Sequence, residues 1–426
     1  MKSYWYIFYN YLIIPLIYIY FRVLGLFNSK VRKGIKDRKK LFENLIIGLT
    51  GLDRSKKMVW FHSASMGEFE QAKPIIEQLQ VDNDINIVVT FFSPSGYENS
   101  RNYRQADIVS YLPLDTPMLV NRFLNLVKPN LAVFMRYDIW PNYIWKLHSR
   151  SIPIFLVDAT MRKNSKRKWF VARDFHNSLF KSFTRILCVS DDDVANFKHF
   201  NVAADKIKAV GDTRFDRVYQ KSRIAKERSL FKEGFFGDKK VFVLGSSWEN
   251  DEDVMLPALL KLMKYDKDLI LIIVPHEPTI IHLEKLENIL YKKFSSIRFS
   301  FLNNYNDERI IVIDSIGILL TLYSYANAAY IGGSFKQGIH NVLEPAVYGI
   351  PVIFGPRIEN SQEANVLVSK GGGFKINNKI EAYKILRKLL SNENFRNEAG
   401  RICSAYVEKN IGATESIVKE INEILI

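Results

Sequence analysis

Cysteine is nearly missing from this chain. Its 426 residues hold two, Cys188 and Cys403, far apart in sequence. That excludes a disulfide-built secreted domain and a thiolate zinc site, and fits two core thiols in a reducing compartment. Metal motifs are missing as well: there is no H-E-x-x-H, no EF-hand loop and no His/Cys cluster. A Walker P-loop is absent, which argues against an ATPase. No aromatic-basic RNP module is present, so nucleic acid is not expected as a partner. Acidic residues are the scarcer charge, 45 against 60 basic ones, for a net +15. An excess of that size fits anionic partners, whether a membrane surface or an acidic substrate. Long stretches without apolar residues are also lacking, and 47% of the chain is hydrophobic, which excludes disorder. The chain is too long for one core and suits two domains of roughly 150–200 residues.

The N-terminus stands apart. From Ser3 to Phe21 no residue is charged, and Tyr, Trp, Ile and Leu crowd the segment. Its span approaches the ~20 residues that cross a bilayer as a helix. Asn10 and Pro15 interrupt it and no small-residue cleavage site follows, so a secretory signal is disfavoured. Its many tyrosines also suit a helix lying in one leaflet, or one packed on the protein itself. Lys30, Arg32, Lys33, Lys36, Arg38, Lys39 and Lys40 follow, the basic flank expected on the cytoplasmic side of a membrane segment.

Beyond Lys40, short β-rich apolar runs alternate with helical-length segments. The runs are 58–61, 85–91, 131–135, 154–157 and 185–189, and after a charged break at 216–240 they resume at 241–244, 269–274, 310–313, 328–331 and 351–354. Alternation of this kind predicts parallel sheets with helices on both faces. The expected layout is a membrane-anchor segment at 1–28, a Rossmann-like domain at 29–220, a linker at 221–240, and a second Rossmann-like domain at 241–426. The final helices, after about residue 392, are candidates to cross back to the first domain. Ligands in such sheets bind beyond the carboxyl ends of the strands, and two domains facing a central cleft supply a ligand pocket.

Strand-end residues are therefore the candidates for chemistry. The first run leads into His62-Ser63-Ala64-Ser65-Met66-Gly67-Glu68. Glu68 is placed to take a proton from an attacking hydroxyl, or to close a Ser65-x-x-Glu68 capping box, and a helix N-terminus would lower its basicity. Pro74 fits the first turn of a later helix better than the interior of an earlier one. Asp138, in Arg136-Tyr137-Asp138-Ile139-Trp140-Pro141-Asn142, is placed to orient an acceptor, to pair with an Arg or Lys, or to serve as a loop acid. Arg214, in Gly211-Asp212-Thr213-Arg214-Phe215-Asp216, is placed to offset charge on a leaving phosphate, or to pair with Asp212 or Asp216. In the second half, Gly332, Gly333 and Ser334 follow a strand and allow close backbone approach to a phosphate, with a helix N-terminus beyond them. Glu344 suits ribose hydroxyls. This is not the dinucleotide fingerprint, because G-x-G-x-x-G is absent here. The acid triplets 191–193 and 251–253 read as first-turn helix acids in place of metal ligands.

Taken in order, HSASMGE at 62–68, RYDIWPN at 136–142, GDTRFD at 211–216 and GGSFKQGIHNVLEPA at 332–346 resemble the bacterial 3-deoxy-D-manno-octulosonic acid (Kdo) transferases of lipopolysaccharide assembly, glycosyltransferase family 30. The resemblance runs over nearly the whole chain. It implies a GT-B fold, a CMP-Kdo donor, a lipid A precursor as acceptor at the cytoplasmic face of the inner membrane, and an inverting single displacement with no metal or cofactor. It implies Glu68 as general base, with Asp138 and Arg214 as transition-state stabilisers. Asp138 stands where the family usually has Glu, and Arg214 where it commonly has Lys; both keep the charge. The implied nucleotide-sugar site comprises Pro275, His276, Ile316, Gly317, Ile318, Gly333, Ser334, Asn341, Val342, Leu343 and Glu344. The family often has Arg where this chain has Pro275, and an acid where it has Ile318. The rival expectation is another GT-B glycosyltransferase or an epimerase using a UDP-sugar.

Overall fold

A computed structural model describes residues 3–336 and 338–425. Met1 and Lys2 of the expected anchor, and Gln337 within the second-half motif, lie outside the described residues. The chain forms two compact units: Met1–Arg217 together with Ile411–Ile426, and Val218–Asn410.

The first unit is built on a seven-stranded parallel sheet. Its strands are β1 (Lys57–Ser63), β2 (Ile85–Phe91), β3 (Ile108–Tyr111), β4 (Leu131–Met135), β5 (Ile154–Ala159), β6 (Arg185–Cys188) and β7 (Ile207–Ala209), in the order β3-β2-β1-β4-β5-β6-β7. Side chains alternate across the sheet. Met58 and Trp60 join the core around Phe134 and Tyr143, whereas Val59 and Phe61 join Phe69 and Phe91 on the other face. Burial on both faces is why the runs read as continuously apolar. The edge strands β3 and β7 are short, and sequence periodicity did not pick them out.

The second unit repeats the plan with β8 (Lys240–Ser247), β9 (Leu269–Pro275), β10 (Ser296–Arg298), β11 (Ile310–Val312), β12 (Ala328–Ile331), β13 (Val352–Phe354) and β14 (Gly373–Lys375), in the order β10-β11-β9-β8-β12-β13-β14. In both sheets the strand order reverses beside the first strand of the unit, the switch point of doubly wound folds.

Two local expectations are corrected, and the expected return of the chain end to the first unit is met, later than residue 392. The helix Met66–Asp82 runs unbroken through Pro74; burial of Phe69, Ile75, Ile76 and Leu79 against the sheet outweighs the lost backbone hydrogen bond. The charged segment at 216–240 does not begin as a linker. The helix Thr213–Lys226 carries the chain from one unit into the other, so residues 221–226 are helical and the boundary falls inside the helix. At the end of the chain, residues 411–426 belong to the first unit. Ile417, Val418 and Ile421 of the helix Ala413–Leu425 pack with Phe69 and Ile76, and the Asp216 carboxylate accepts the Gly412 and Thr414 N–H groups at 2.7 and 3.0 Å.

Tyr4–Phe27 is the one stretch among the described residues long and apolar enough to cross a membrane. Its inner face is docked on the first unit. Trp5, Tyr6, Ile13 and Ile14 pack against the core around buried Tyr9. The Tyr9 hydroxyl donates to Asp115 at 2.8 Å, Asn10 and Asn142 exchange amide hydrogen bonds at 2.8 and 3.0 Å, and Trp5 Nε1 donates to Asp174 at 2.8 Å. The outer face, including Tyr11, Leu16, Ile19, Tyr20 and Phe27, is exposed.

Burial pushes the Asp115 carboxyl up to about 7 from 3.8, against hydrogen bonds from Tyr9 and the Asn142 and Tyr143 N–H groups that favour its charged form. A carboxyl raised in the fold binds its proton more tightly there than in the unfolded chain. The stability it contributes is therefore full below about pH 4 and declines as the pH rises to about 7. Asp115→Asn is expected to remove this decline, read as a flatter dependence of the melting temperature on pH across that window.

Candidate functional site

Because every strand of the first sheet is parallel, the carboxyl ends share one edge. Glu68 follows β1, Asp138 follows β4, Asp158 ends β5, and Asp212 and Arg214 follow β7, so residues up to 146 positions apart converge there.

Glu68 sits in the first turn of the helix Met66–Asp82, 8% exposed. The expected capping box is not formed. Ser65 makes no side-chain cap, and the Glu68 carboxylate instead accepts the Ala64 N–H at 2.6 Å. Its basicity also goes the other way from expectation. Burial raises its pKa, and nearby Asp138 adds to this; the Ala64 N–H, His62 and Arg136 oppose without prevailing. Desolvation outweighs the helix N-terminus.

Among the described residues Asp138 pairs with neither Arg nor Lys. It accepts from His62 Nε2 at 2.8 Å and from Trp140 Nε1 at 3.2 Å. His62 is fully buried, and its Nδ1 lies 2.9 Å from the Thr90 hydroxyl, which accepts from Trp60 Nε1 at 2.8 Å. A hydrogen-bonded chain thus runs from the core to Asp138 and fixes its orientation. Arg214 grips Asp212 in a fork, Nε and Nη2 reaching Oδ2 at 2.9 and 2.6 Å. This is the ion pair weighed from sequence. Arg136 approaches the same Asp212 oxygen at 4.0 Å and donates to Gln71 at 2.8 Å. Asp158, fully buried, accepts from the Thr213 N–H and hydroxyl, and burial together with Asp212 pushes it up to about 7. Arg136 and Asp158 hold left-handed backbone, φ 59° and 50°, the kind of strain that gathers at functional sites. Sequence reasoning gave no role to His62, Arg136 or Asp158. Position at a strand's carboxyl end was the available signal for all three.

In the second unit the glycine pair serves the fold more than a ligand. Gly332 N–H donates to Gly245 O, and Gly333 N–H to buried Asp251, both at 2.9 Å. A Cβ on Gly332 would lie 1.9 Å from Ser246 O. Ser334 is fully buried, with its hydroxyl accepting Gly355 N–H at 2.6 Å. The Gly333 N–H and the Ser334 hydroxyl are thus engaged inside the loop. The helix beyond, Leu343–Ala346, is a single turn, and Pro275, Val342 and Leu343 are buried.

What this edge of the second unit does present is a cluster of rings. His276 lies 4.5 Å from Trp248 and 4.5 Å from His340, at interplanar angles of 28° and 9°. Trp248 Nε1 also lies 3.2 Å from His340 Nε2. Asn341 is exposed and donates to half-buried Glu344 at 3.3 Å, whose carboxyl is raised by burial. The loop of Ile316, Gly317 and Ile318 brings an 85% exposed Ile316 and a left-handed Gly317, φ 85°. No group of three His, Cys, Asp or Glu suited to a metal ion occurs among the described residues.

Residues 35–217 match the family model described as 3-deoxy-D-manno-octulosonic-acid transferase (kdotransferase). The chain is 31% identical over 345 residues to the 3-deoxy-D-manno-octulosonic acid transferase of Aquifex aeolicus, covering 80% of this chain and 88% of that protein. To the enzyme of the same name from Haemophilus influenzae it is 26% identical over 428 residues, 97% of each. It is 27% identical over 399 residues to a bifunctional glycosyltransferase/methyltransferase of Fusobacterium nucleatum, and the match covers 91% of this chain but only 61% of that longer relative. Among solved structures, the UDP-GlcNAc 2-epimerase of Neisseria meningitidis bound to UDP-GlcNAc is similar with a TM-score of 0.60 at 14% identity, covering 86% of this chain and all of that one. A glycosyltransferase from Rickettsia africae is similar with a TM-score of 0.54 at 11% identity, covering 87% and 99%. These structural likenesses bear on the fold, which is of the GT-B type.

Proposed function

The chain belongs to the 3-deoxy-D-manno-octulosonic acid transferase family and is a glycosyltransferase, and from that premise we propose that it transfers Kdo from CMP-Kdo to a lipid A precursor at the cytoplasmic face of the inner membrane. The observation that carries the reading is Glu68: a buried carboxylate of raised basicity on the same sheet edge as His62–Asp138 and Arg136–Asp212–Arg214. A base of that kind suits removal of a proton from a sugar hydroxyl.

The proposed step is one inverting displacement. The acceptor oxygen bonds to the anomeric carbon of Kdo as its proton passes to Glu68. The bond from that carbon to the phosphate oxygen breaks, and its electron pair leaves with CMP. Charge shifts from the acceptor side to the phosphate, so cations fixed beforehand lower the barrier without reorganising. Arg214, held by Asp212, is the proposed stabiliser on the phosphate. Asp138, oriented by His62 and Trp140, is the proposed stabiliser of positive charge on the sugar ring. Neither role calls for a metal. In the second unit the Trp248–His276–His340 cluster supports a reading as the base-binding wall, since a planar base gains from ring stacking, and Asn341 with Glu344 suits the ribose diol. The apolar helix Tyr4–Phe27 and the basic run from Lys30 to Lys40 support the membrane assignment.

Mass analysis of the product formed by the purified protein from CMP-Kdo and a tetraacylated lipid A precursor tests this reading. The expected product is the acceptor plus one or more Kdo residues, with free CMP. Turnover of a UDP-sugar with no product from CMP-Kdo would overturn it.

A further inference from the structure

A cavity of about 490 Å³ lies in the first unit beneath the exposed N-terminal helix, between Tyr18 and Phe21 on that helix, Val31 and Ile35 on the helix Ser29–Asp37, and Leu114 and Leu119, before and within the helix Pro117–Val127. Its size falls within the ~300–1,000 Å³ of small-molecule sites. Its walls are mainly apolar, yet Arg22, Arg38, Lys39 and Arg122 also line it, and no carboxylate does. Arg22, Lys39 and Arg122 are exposed at the rim.

Arg38 is the telling residue. Its guanidinium is drawn into the wall, where it donates to the carbonyls of Leu112, Gly34 and Phe92 at 3.2, 3.1 and 2.5 Å and lies 5.0 and 4.7 Å from the rings of Phe92 and Tyr111. It forms no ion pair among the described residues, and burial pulls its pKa down to about 10. Carbonyl dipoles and ring faces satisfy its hydrogens, and the neighbouring Asp37 acts on its charge without pairing. An apolar chamber ringed by cations complements an anionic amphiphile, and neither a neutral lipid nor a soluble anion alone uses both features.

The cavity also borders the candidate catalytic residues. The Phe21 ring lies 5.5 Å from Phe92, Phe92 lies 4.7 Å from Trp140, and Trp140 hydrogen-bonds Asp138 at 3.2 Å. The cavity wall is thereby linked through Phe92 and Trp140 to Asp138. We propose that this cavity seats an acyl chain of the acceptor lipid, with a headgroup phosphate held by the rim cations Arg22, Lys39 and Arg122. The proposal rests on the reading of the acceptor as a phosphorylated glycolipid and adds to it a defined place for one chain.

The test compares two acceptors with CMP-Kdo as donor and the full-length protein: a tetraacylated glucosamine disaccharide bisphosphate and its fully deacylated, water-soluble counterpart. Wild-type protein is expected to show a KM at least ~10-fold lower for the acylated acceptor. Leu119→Trp and Val31→Trp, which fill the cavity from different walls at half-buried positions, are expected to lower kcat/KM on the acylated acceptor at least ten times more than on the deacylated one. Equal wild-type KM values, or folded variants that affect both acceptors alike, would overturn the cavity assignment while leaving Kdo transfer standing. Absence of Kdo transfer to either acceptor would overturn the functional reading, and the assignment with it. The wild-type comparison keeps the proposal exposed even if both variants fail to fold.

Discussion

Glu68→Gln is expected to lower kcat for Kdo transfer by ~10²–10⁴-fold, the usual contribution of a positioned general base, while the melting temperature stays close to that of the wild type. Glutamine keeps the shape and an acceptor oxygen for the Ala64 N–H, so the turn after β1 is preserved and only the basic group is lost. The pH profile supplies an independent readout. The base must be ionised to act, so kcat/KM falls as the pH drops through its pKa. Burial and Asp138 hold that pKa above the ordinary 4.5, which puts the acid limb above the pH of a solvated glutamate. Asp138→Asn removes the like charge and is expected to move this limb to lower pH in whatever activity remains. Full activity in Glu68→Gln, or a limb at the ordinary glutamate value, contradicts the assignment.

The second large effect is structural. Gly332→Ala is expected to destabilise the second unit by at least ~3 kcal/mol, toward the upper end of overpacking costs. Its Cβ would lie 1.9 Å from Ser246 O, 2.6 Å from Ser246 C and 2.9 Å from Ser247 Cα, all backbone atoms with no rotamer to yield. Relief requires the ends of β12 and β8 to part. His340 hangs on the same loop through its N–H bond to Gly332 O at 3.2 Å, and Trp248 follows directly on β8, so parting the strands also disperses the ring cluster. Thermal unfolding and CMP titration should both report the loss. Gly51→Ala, where a Cβ meets nothing within 4 Å, serves as the near-neutral comparison. A Gly332→Ala protein as stable as that control contradicts the close-approach account.

Several features were legible because they are written in neighbouring residues. Continuous apolar runs such as 85–91 can be buried on both faces only in a parallel sheet, so they gave the sheets and the restart after the charged break. Acids at 191–193 and 251–253 read as first-turn helix residues, and the helices Asp191–Phe197 and Glu249–Tyr265 begin there. Short edge strands such as β7 were not legible, since three residues carry no period. Pro74 misled because local propensity cannot weigh tertiary burial.

The sequence by itself determined the two α/β units, the strand ends at which Glu68, Asp138 and Arg214 lie, the apolar N-terminal helix, and the family, because each follows from composition or from residues close together in the chain. Only the tertiary structure decided how basic Glu68 is, that Asp138 answers to His62 76 residues earlier, that Asp251 takes the Gly333 N–H, and that Tyr9 and Asn10 dock their helix on Asp115 and Asn142. Desolvation and hydrogen bonding act through space, between groups whose separation along the chain tells nothing of their distance.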